Sequence, residues 1–429
     1  MHCVSTIDSM PSTNLTIMIE IMSPVGSYES LSAAIAAGAG SVYFGVGAMN
    51  MRSRSAANFT LDDLANLVSI CKEHNVSSYL TVNTIIYNDE LGKMRELLDA
   101  AKACGVTAII ASDMAVIQYA REIGIEIHLS TQCNVTNVEA VRYYAQFADV
   151  VVLGRECTLQ QIADICQEIK NQNITGPKGD LVKIEMFIHG ALCMAVSGRC
   201  YLSLDNYNSP ANRGACLQPC RRAYEVRDIE DGLELRVDNP YIFSPKDLCT
   251  IGYLDKIVRA GVSILKIEGR GRSAEYVKMV TECYHEALES IYNQTFSLEK
   301  IDNWMTRLRS VYNRDFWGGY YLGRTAGEWA DKYGSQATRM KRRIGKITNY
   351  FGKLGVAEIC MEEDTLSMGD DLLIIGPTTG VYEDTVQEIR VEDETVENVG
   401  KGIYCSVKTK SLVRRGYQVY KWIWVKDEF

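Results

Sequence analysis

A strand–helix unit recurs roughly every 20 to 30 residues from residue 17 to about residue 270, and this recurrence limits the fold more than any other feature. Short β-rich runs fall at 17–22, 41–45, 77–83, 107–111, 126–130, 149–154, 183–190 and 263–269. Between most of them lie segments with apolar residues at helical spacing, such as 61–75, 90–104 and 114–123. Several helices end on a glycine that leads into a β-branched strand: Ala37-Gly38-Ala39, Cys104-Gly105-Val106 and Ala260-Gly261-Val262. A glycine there can take the left-handed conformation that closes a helix. Eight strands alternating with helices predict an α/β fold, a TIM-like (β/α)8 barrel. An open doubly wound sheet would carry a glycine-rich phosphate turn after its first strand. Here that position reads Ser23-Pro24-Val25-Gly26-Ser27, without the G-x-G-x-x-G spacing.

The pattern changes near residue 337. Short alternating runs at 344–348, 356–361, 371–375, 385–391, 403–407 and 417–422 are punctuated by Gly369-Asp370, Gly376-Pro377 and Arg415-Gly416. Closely spaced strands of this kind predict a small all-β barrel over 337–429. The expected organisation is a flexible tail at 1–16, a barrel domain at 17–336 and the β-barrel at 337–429. Residues 304–335, rich in Tyr, Trp and Arg, should be helix and packing that joins the two domains.

Composition narrows the function. No run of about 18 apolar residues exists to span a membrane. The first 16 residues lack the basic-then-apolar layout of a signal peptide, so a cytoplasmic location is expected. Thiols stay reduced there, and the 14 cysteines are read as fillers or ligands rather than as a disulfide framework. Cys71, Cys104, Cys166 and Cys283 fall among apolar helix positions and read as fillers. A net charge of −9 argues against non-specific coating of nucleic acid, though not against a local grip on one RNA element. Basic clusters occur at 339–346, where a solvated face is the default reading, and at Arg213, Arg221 and Arg222.

In a barrel the C-terminal strand ends carry the chemistry. Those ends are polar here: Asn83 after the third strand, Gln132 and Asn134 after the fifth, His189 at the seventh, Glu268 and Arg270 after the eighth. His189 and Glu268 are the candidates for proton transfer. Arg52, Arg54 and Arg270 are candidates for holding an anionic co-substrate or phosphate. Tyr43, Phe44 and Phe187 could wall a splayed base. Directly after His189, four cysteines fall within 28 residues, where the average density would place about one: Cys193, Cys200, Cys216 and Cys220. Their C-x6-C-x15-C-x3-C spacing lacks the paired knuckles of structural zinc. An iron–sulfur cluster tolerates it better, because its ligands need only converge on the cluster. Zinc and unligated thiols are the alternatives. A peptidase mechanism finds no support: His285-Glu286 is followed by Glu289 rather than a second His, and no G-x-S-x-G is present.

The segments His189-Gly190-Ala191-Leu192-Cys193, Ser197-Gly198-Arg199-Cys200 and Asn212-Arg213-Gly214-Ala215-Cys216-Leu217-Gln218-Pro219-Cys220-Arg221 resemble the collagenase-like peptidase family U32. Ser244-Pro245-Lys246-Asp247-Leu248, Leu265-Lys266-Ile267-Glu268-Gly269-Arg270, Ser130-Thr131-Gln132 and Asn88-Asp89-Glu90 match it too, with Cys133 where Ala is expected. The resemblance implies oxygen-independent hydroxylation of RNA or of ubiquinone. It also implies a 4Fe-4S cluster on the four cysteines and prephenate as the oxygen source. Gly376-Pro377-Thr378-Thr379-Gly380 and Val413-Arg414-Arg415-Gly416 resemble the appended barrel of the tRNA 5-hydroxyuridine branch, which is like the second domain of translation GTPases. The expected function is therefore conversion of tRNA wobble uridine to 5-hydroxyuridine, with the anticodon region as partner. A peptidase, or a non-catalytic RNA-binding protein with a structural cluster, is the alternative.

Overall fold

The computed structural model describes residues 19–54, 56–225, 241–323 and 327–425. The tail expected at 1–16, and the start of the first strand, lie outside the described residues. Eight parallel strands close on themselves: β1 (Glu20–Pro24), β2 (Ser41–Phe44), β3 (Ser77–Val82), β4 (Ala108–Ala111), β5 (Glu126–Leu129), β6 (Val150–Val152), β7 (Lys183–Gly190) and, beyond the short β8 (Asp247–Cys249), β9 (Ile264–Ile267). Leu265 of β9 pairs with Ile21 on one side and Met186 on the other, which shuts the ring. β8 runs antiparallel to β7 and carries β10 (Phe316–Trp317) on its outer edge. The eight barrel strands lie where the eight apolar runs place them.

Local chemistry sets the helices between the strands. Ser27 and Thr158 form capping boxes on Tyr28–Ala36 and Leu159–Asn171, each satisfying backbone donors at a helix start. Gly105 closes Leu91–Cys104 at φ 77°, where a side chain would be strained. The helices bury leucine, isoleucine and valine against the outside of the barrel. The interior is filled separately by Met22, Tyr43, Tyr79, Ala108, Ile110, Val150 and Ile264. It also encloses an ion pair, Lys266 Nζ to Glu185 Oε1 at 2.7 Å, with His128 Nδ1 3.4 Å from the other Glu185 oxygen. Burial alone would raise the Glu185 carboxyl, but Lys266 and His128 outweigh it and hold it below the usual range.

In the stretch expected to join the domains, the helix Leu298–Arg309 is followed by β10. Beyond it an antiparallel all-β region runs from Arg339–Phe351 to Gln418–Trp424, an eight-stranded sheet curled round one core with a separate two-stranded ladder of Leu366–Ser367 and Asn398–Val399. The run at 385–391 is not one strand. It divides into the end of Gly380–Thr385 and the start of Ile389–Val391, because Val386 N turns to bond Asp370 O. A seam of Leu373, Val381 and Trp422 on the sheet packs against Ala33 and Ala274 of the barrel helices. Gly380 passes so close that an added Cβ would lie 2.6 Å from Ala33 N. The basic run 339–346 is ion-paired in place. Arg339 meets Glu383, Lys341 meets Glu275, Arg342 meets Asp364, and Arg343 and Lys346 share Glu362.

Candidate functional site

The polar side chains gather at the C-terminal mouth of the barrel. Glu268, just past β9, accepts from Arg52 Nη2 at 2.7 Å and, on its other oxygen, from Ala191 N at 3.2 Å. Arg155, at the tip of β6, donates to Ala191 O at 3.0 Å and stacks on Phe187 at 3.9 Å. Arg270 donates to Thr81 Oγ1 at 3.1 Å and to Asn50 Oδ1 at 2.9 Å. Gly45 leaves room for it, since a Cβ there would sit 2.3 Å from Arg270 Nη1. Asn50 is wholly buried, and its Oδ1 also accepts from Arg52 N at 3.1 Å. Asn83 Oδ1 accepts from Met51 N at 3.2 Å, pinning the same loop.

The mouth carries a surplus of positive charge. Burial would raise the Glu268 carboxyl, but Arg52, Arg272 and Arg155 outweigh that and hold it at about 2. Glu268 is therefore held as an anion, bonded to Arg52. Burial brings Arg270 down to about 10, still charged at neutral pH, and its side chain bonds only neutral groups. Arg52, Arg155, Arg270 and Arg272 thus surround the Glu268 carboxylate, with Asp247 close enough to act on Arg272 as well.

The cysteine segment docks across this mouth. Asn212 O accepts from Ile85 N at 3.2 Å, and Arg213 grips Glu90 at 2.7 Å while lying 4.0 Å over Tyr87. Gly214 O accepts from Ser53 Oγ at 3.1 Å and from Arg54 N at 3.3 Å. The approach is tight: a Cβ on Gly214, at φ 74°, would fall 2.2 Å from Asn50 O. Arg221 ties the far end down through Ser244 Oγ at 3.1 Å and Pro245 O at 2.6 Å.

The four thiols act on one another electrostatically. Burial pushes the Cys220 thiol up to about 11, and Cys193, Cys216 and Cys200 all add to the shift; Arg221 opposes it. Cys216 is raised mainly by burial, with Arg52 opposing and Cys193 and Cys200 adding. Arg52 thus stands between the thiols and Glu268. Among the described residues no three His, Cys, Asp or Glu side chains close tightly enough to hold a single metal ion. Four thiols in mutual electrostatic reach are a donor set of the kind an iron–sulfur cluster takes. The cysteines read as fillers behave differently: Cys71, Cys166 and Cys283 are buried and Cys104 is half-buried against the core.

Not every expected residue faces the mouth. His189 is only 2% exposed and packs against Tyr276, Tyr284 and Phe316, with Nδ1 3.4 Å from Tyr284 Oη. The cause is a bulge between Phe187 and His189, which pairs His189 with outward-facing Ile267 instead of continuing the inward alternation. Phe44 likewise lies outside the barrel, edge-on to Phe59, so only Tyr43 and Phe187 face inward, on either side of Lys266. Arg54 is exposed at the rim. Gln132 lies against Gly198 of the cysteine segment, and Asn134 closes the turn Thr131–Cys133 at φ 51°. Arg155 and Asn50 escaped the sequence reading. Arg155 obeys the strand-tip rule applied to its neighbours, whereas nothing periodic marks Asn50.

Burial depresses the His189 imidazole to about 3. The unfolded chain, with a pKa of about 6.5, takes up a proton that the folded chain refuses. The stability is therefore complete above about pH 6.5 and is lost as pH falls toward the folded value, by up to about 4 kcal/mol. Urea unfolding at pH 7 and pH 4 should show this loss, and His189→Leu should reduce it; an equal loss in both proteins would refute the assignment.

A model of peptidase family U32 matches residues 26–331. The chain belongs to peptidase family U32. A protein of Porphyromonas gingivalis named collagenase is 55% identical over 94% of this chain and 97% of its own length. Bacillus subtilis tRNA hydroxylation protein P1 is 30% identical over 87% of each chain. Escherichia coli 23S rRNA 5-hydroxycytidine C2501 synthase is 33% identical over 67% of this chain and 42% of its own length. U32 relatives thus carry both names, and the one named collagenase is the more similar. No helix among the described residues is long and apolar enough to cross a membrane.

Proposed function

We propose that this U32 protein is a cytoplasmic tRNA-modifying enzyme that hydroxylates wobble uridine to 5-hydroxyuridine without molecular oxygen, taking the oxygen from prephenate. The observation that carries this reading is the convergence of four thiols beside Arg52 at a cationic barrel mouth. Cys193, Cys200, Cys216 and Cys220 would hold a 4Fe-4S cluster, which when bound supplies one-electron chemistry. Arg270, Arg155 and Arg52 hold the carboxylates of the small anionic co-substrate, with Glu268 and Asn50 fixing the direction of two of them. Asn83 and Gln132 offer amides to a uracil edge, and Tyr43 and Phe187 give the site an apolar floor. The relatives named for tRNA and rRNA hydroxylation support an RNA substrate.

The relative named collagenase favours a second reading, a peptidase. The mouth supports it poorly. Of the histidines among the described residues, His128 lies in the barrel interior and His189 is enclosed and neutral. His74 ends an outer helix, and His285 pairs with Glu289 on another. None stands beside a nucleophile at the mouth. Deleting the gene should remove 5-hydroxyuridine from digested tRNA, and the purified chain should leave gelatin intact. Unchanged 5-hydroxyuridine together with gelatin cleavage would reverse the reading.

A further inference from the structure

We infer that the outer face of the cysteine segment, with the Tyr87 loop it docks on, is a base-stacking platform for a single-stranded RNA loop. The inference rests on the RNA reading above and gives that substrate its contact surface. Large apolar side chains concentrate there. Tyr201 is 72% exposed and Tyr87 56%, and Tyr207, Leu217, Val196 and Met194 are exposed around them. A loop that buries its backbone contacts against the barrel yet turns these groups to solvent has a face shaped for a partner.

Charge selects the partner. Residues 193–224 carry four arginines against one aspartate, in a chain whose net charge is −9; Arg213 is paired with Glu90 and Arg221 is tied inward, which leaves Arg199 and Arg222 for a partner. Two tyrosine rings are held by guanidinium groups. Arg213 lies 4.0 Å over Tyr87, and Arg222 lies 5.4 Å over Tyr207 and donates to its hydroxyl at 2.7 Å. Arg54 and Arg199 are exposed on the same rim. Aromatic rings interleaved with arginine suit unpaired bases on a phosphate backbone, since every base offers a stacking face. A collagen-like chain offers no bases to stack and no charge at every backbone unit. The ion-paired basic run at 339–346 makes the C-terminal sheet a weaker candidate for this contact.

The test is fluorescence anisotropy with a synthetic RNA stem bearing a single-stranded loop, using the full chain and its Tyr201→Ala, Tyr207→Ala and Tyr201→Phe variants. The substituted side chains are exposed, so folding is spared. Each alanine variant should bind the loop about tenfold more weakly, and Tyr201→Phe should match the parent. A blunt RNA duplex should bind the parent more weakly than the loop does. If the parent binds the loop and both alanine variants bind equally well, the platform is refuted while the RNA reading stands. If the parent binds no RNA but captures gelatin through the same tyrosines, both fall.

Discussion

Protein carrying Cys216→Ala is expected to purify anaerobically without colour, with its iron falling from about four atoms per chain to background. The thiol has no substitute in place, because Cys193, Cys200 and Cys220 are the groups that share its electrostatic surroundings. Its loss also removes the thiol that acts electrostatically on Arg52, and RNA hydroxylation should fall to background with the iron. Cys166→Ala is the control. That thiol is buried in the helix Leu159–Asn171, and its replacement should cost about 1 kcal/mol of packing while leaving the iron unchanged. Equal iron in the two variants would sink the ligand assignment.

The second large effect is expected at Glu268. Glu268→Gln leaves Arg52, Arg155 and Arg272 without their shared anion in a buried site, at a cost of about 3 to 5 kcal/mol. Urea unfolding measures it. Adding Arg52→Met to the same chain should recover part of the loss by removing one stranded charge, whereas two simply additive losses would deny the coupling. The pH dependence fixes the sign independently. The carboxyl has a pKa of about 2 when folded and about 4.3 when unfolded, so its contribution is complete above about pH 4.3 and vanishes as pH falls toward 2. The parent should therefore lose about 3 kcal/mol over that window, and Glu268→Gln should not. Hydroxylation should fail in Glu268→Gln even at temperatures where it is folded, because Arg52 is then free to turn away from the mouth.

The barrel was legible because buried parallel strands read as short apolar runs and because glycines mark the helix ends; β9 and its neighbours fall where residues 263–269 and the other runs put them. The mouth was legible at Arg52, Asn83, Glu268 and Arg270, which follow strand ends. His189 misled because strand alternation assumes no bulge, and the extra residue before it turned the ring outward. The division of 385–391 failed for a related reason. Val386, Ile389 and Val391 are all apolar and share one core, but the step of three from Val386 to Ile389 is where the chain turns. Arg155 was open to the same strand-tip rule, whereas Asn50 acts through a contact between distant loops, which spacing along the chain does not encode.

The central claim is that the cysteine-bound cluster at this mouth drives RNA hydroxylation. The most direct measurement is the 5-hydroxyuridine content of tRNA from a strain lacking the gene, complemented with the parent chain or with Cys216→Ala. The parent should restore it and the variant should not, at equal protein levels. Restoration by both, or by neither while the parent carries its full iron, would contradict it.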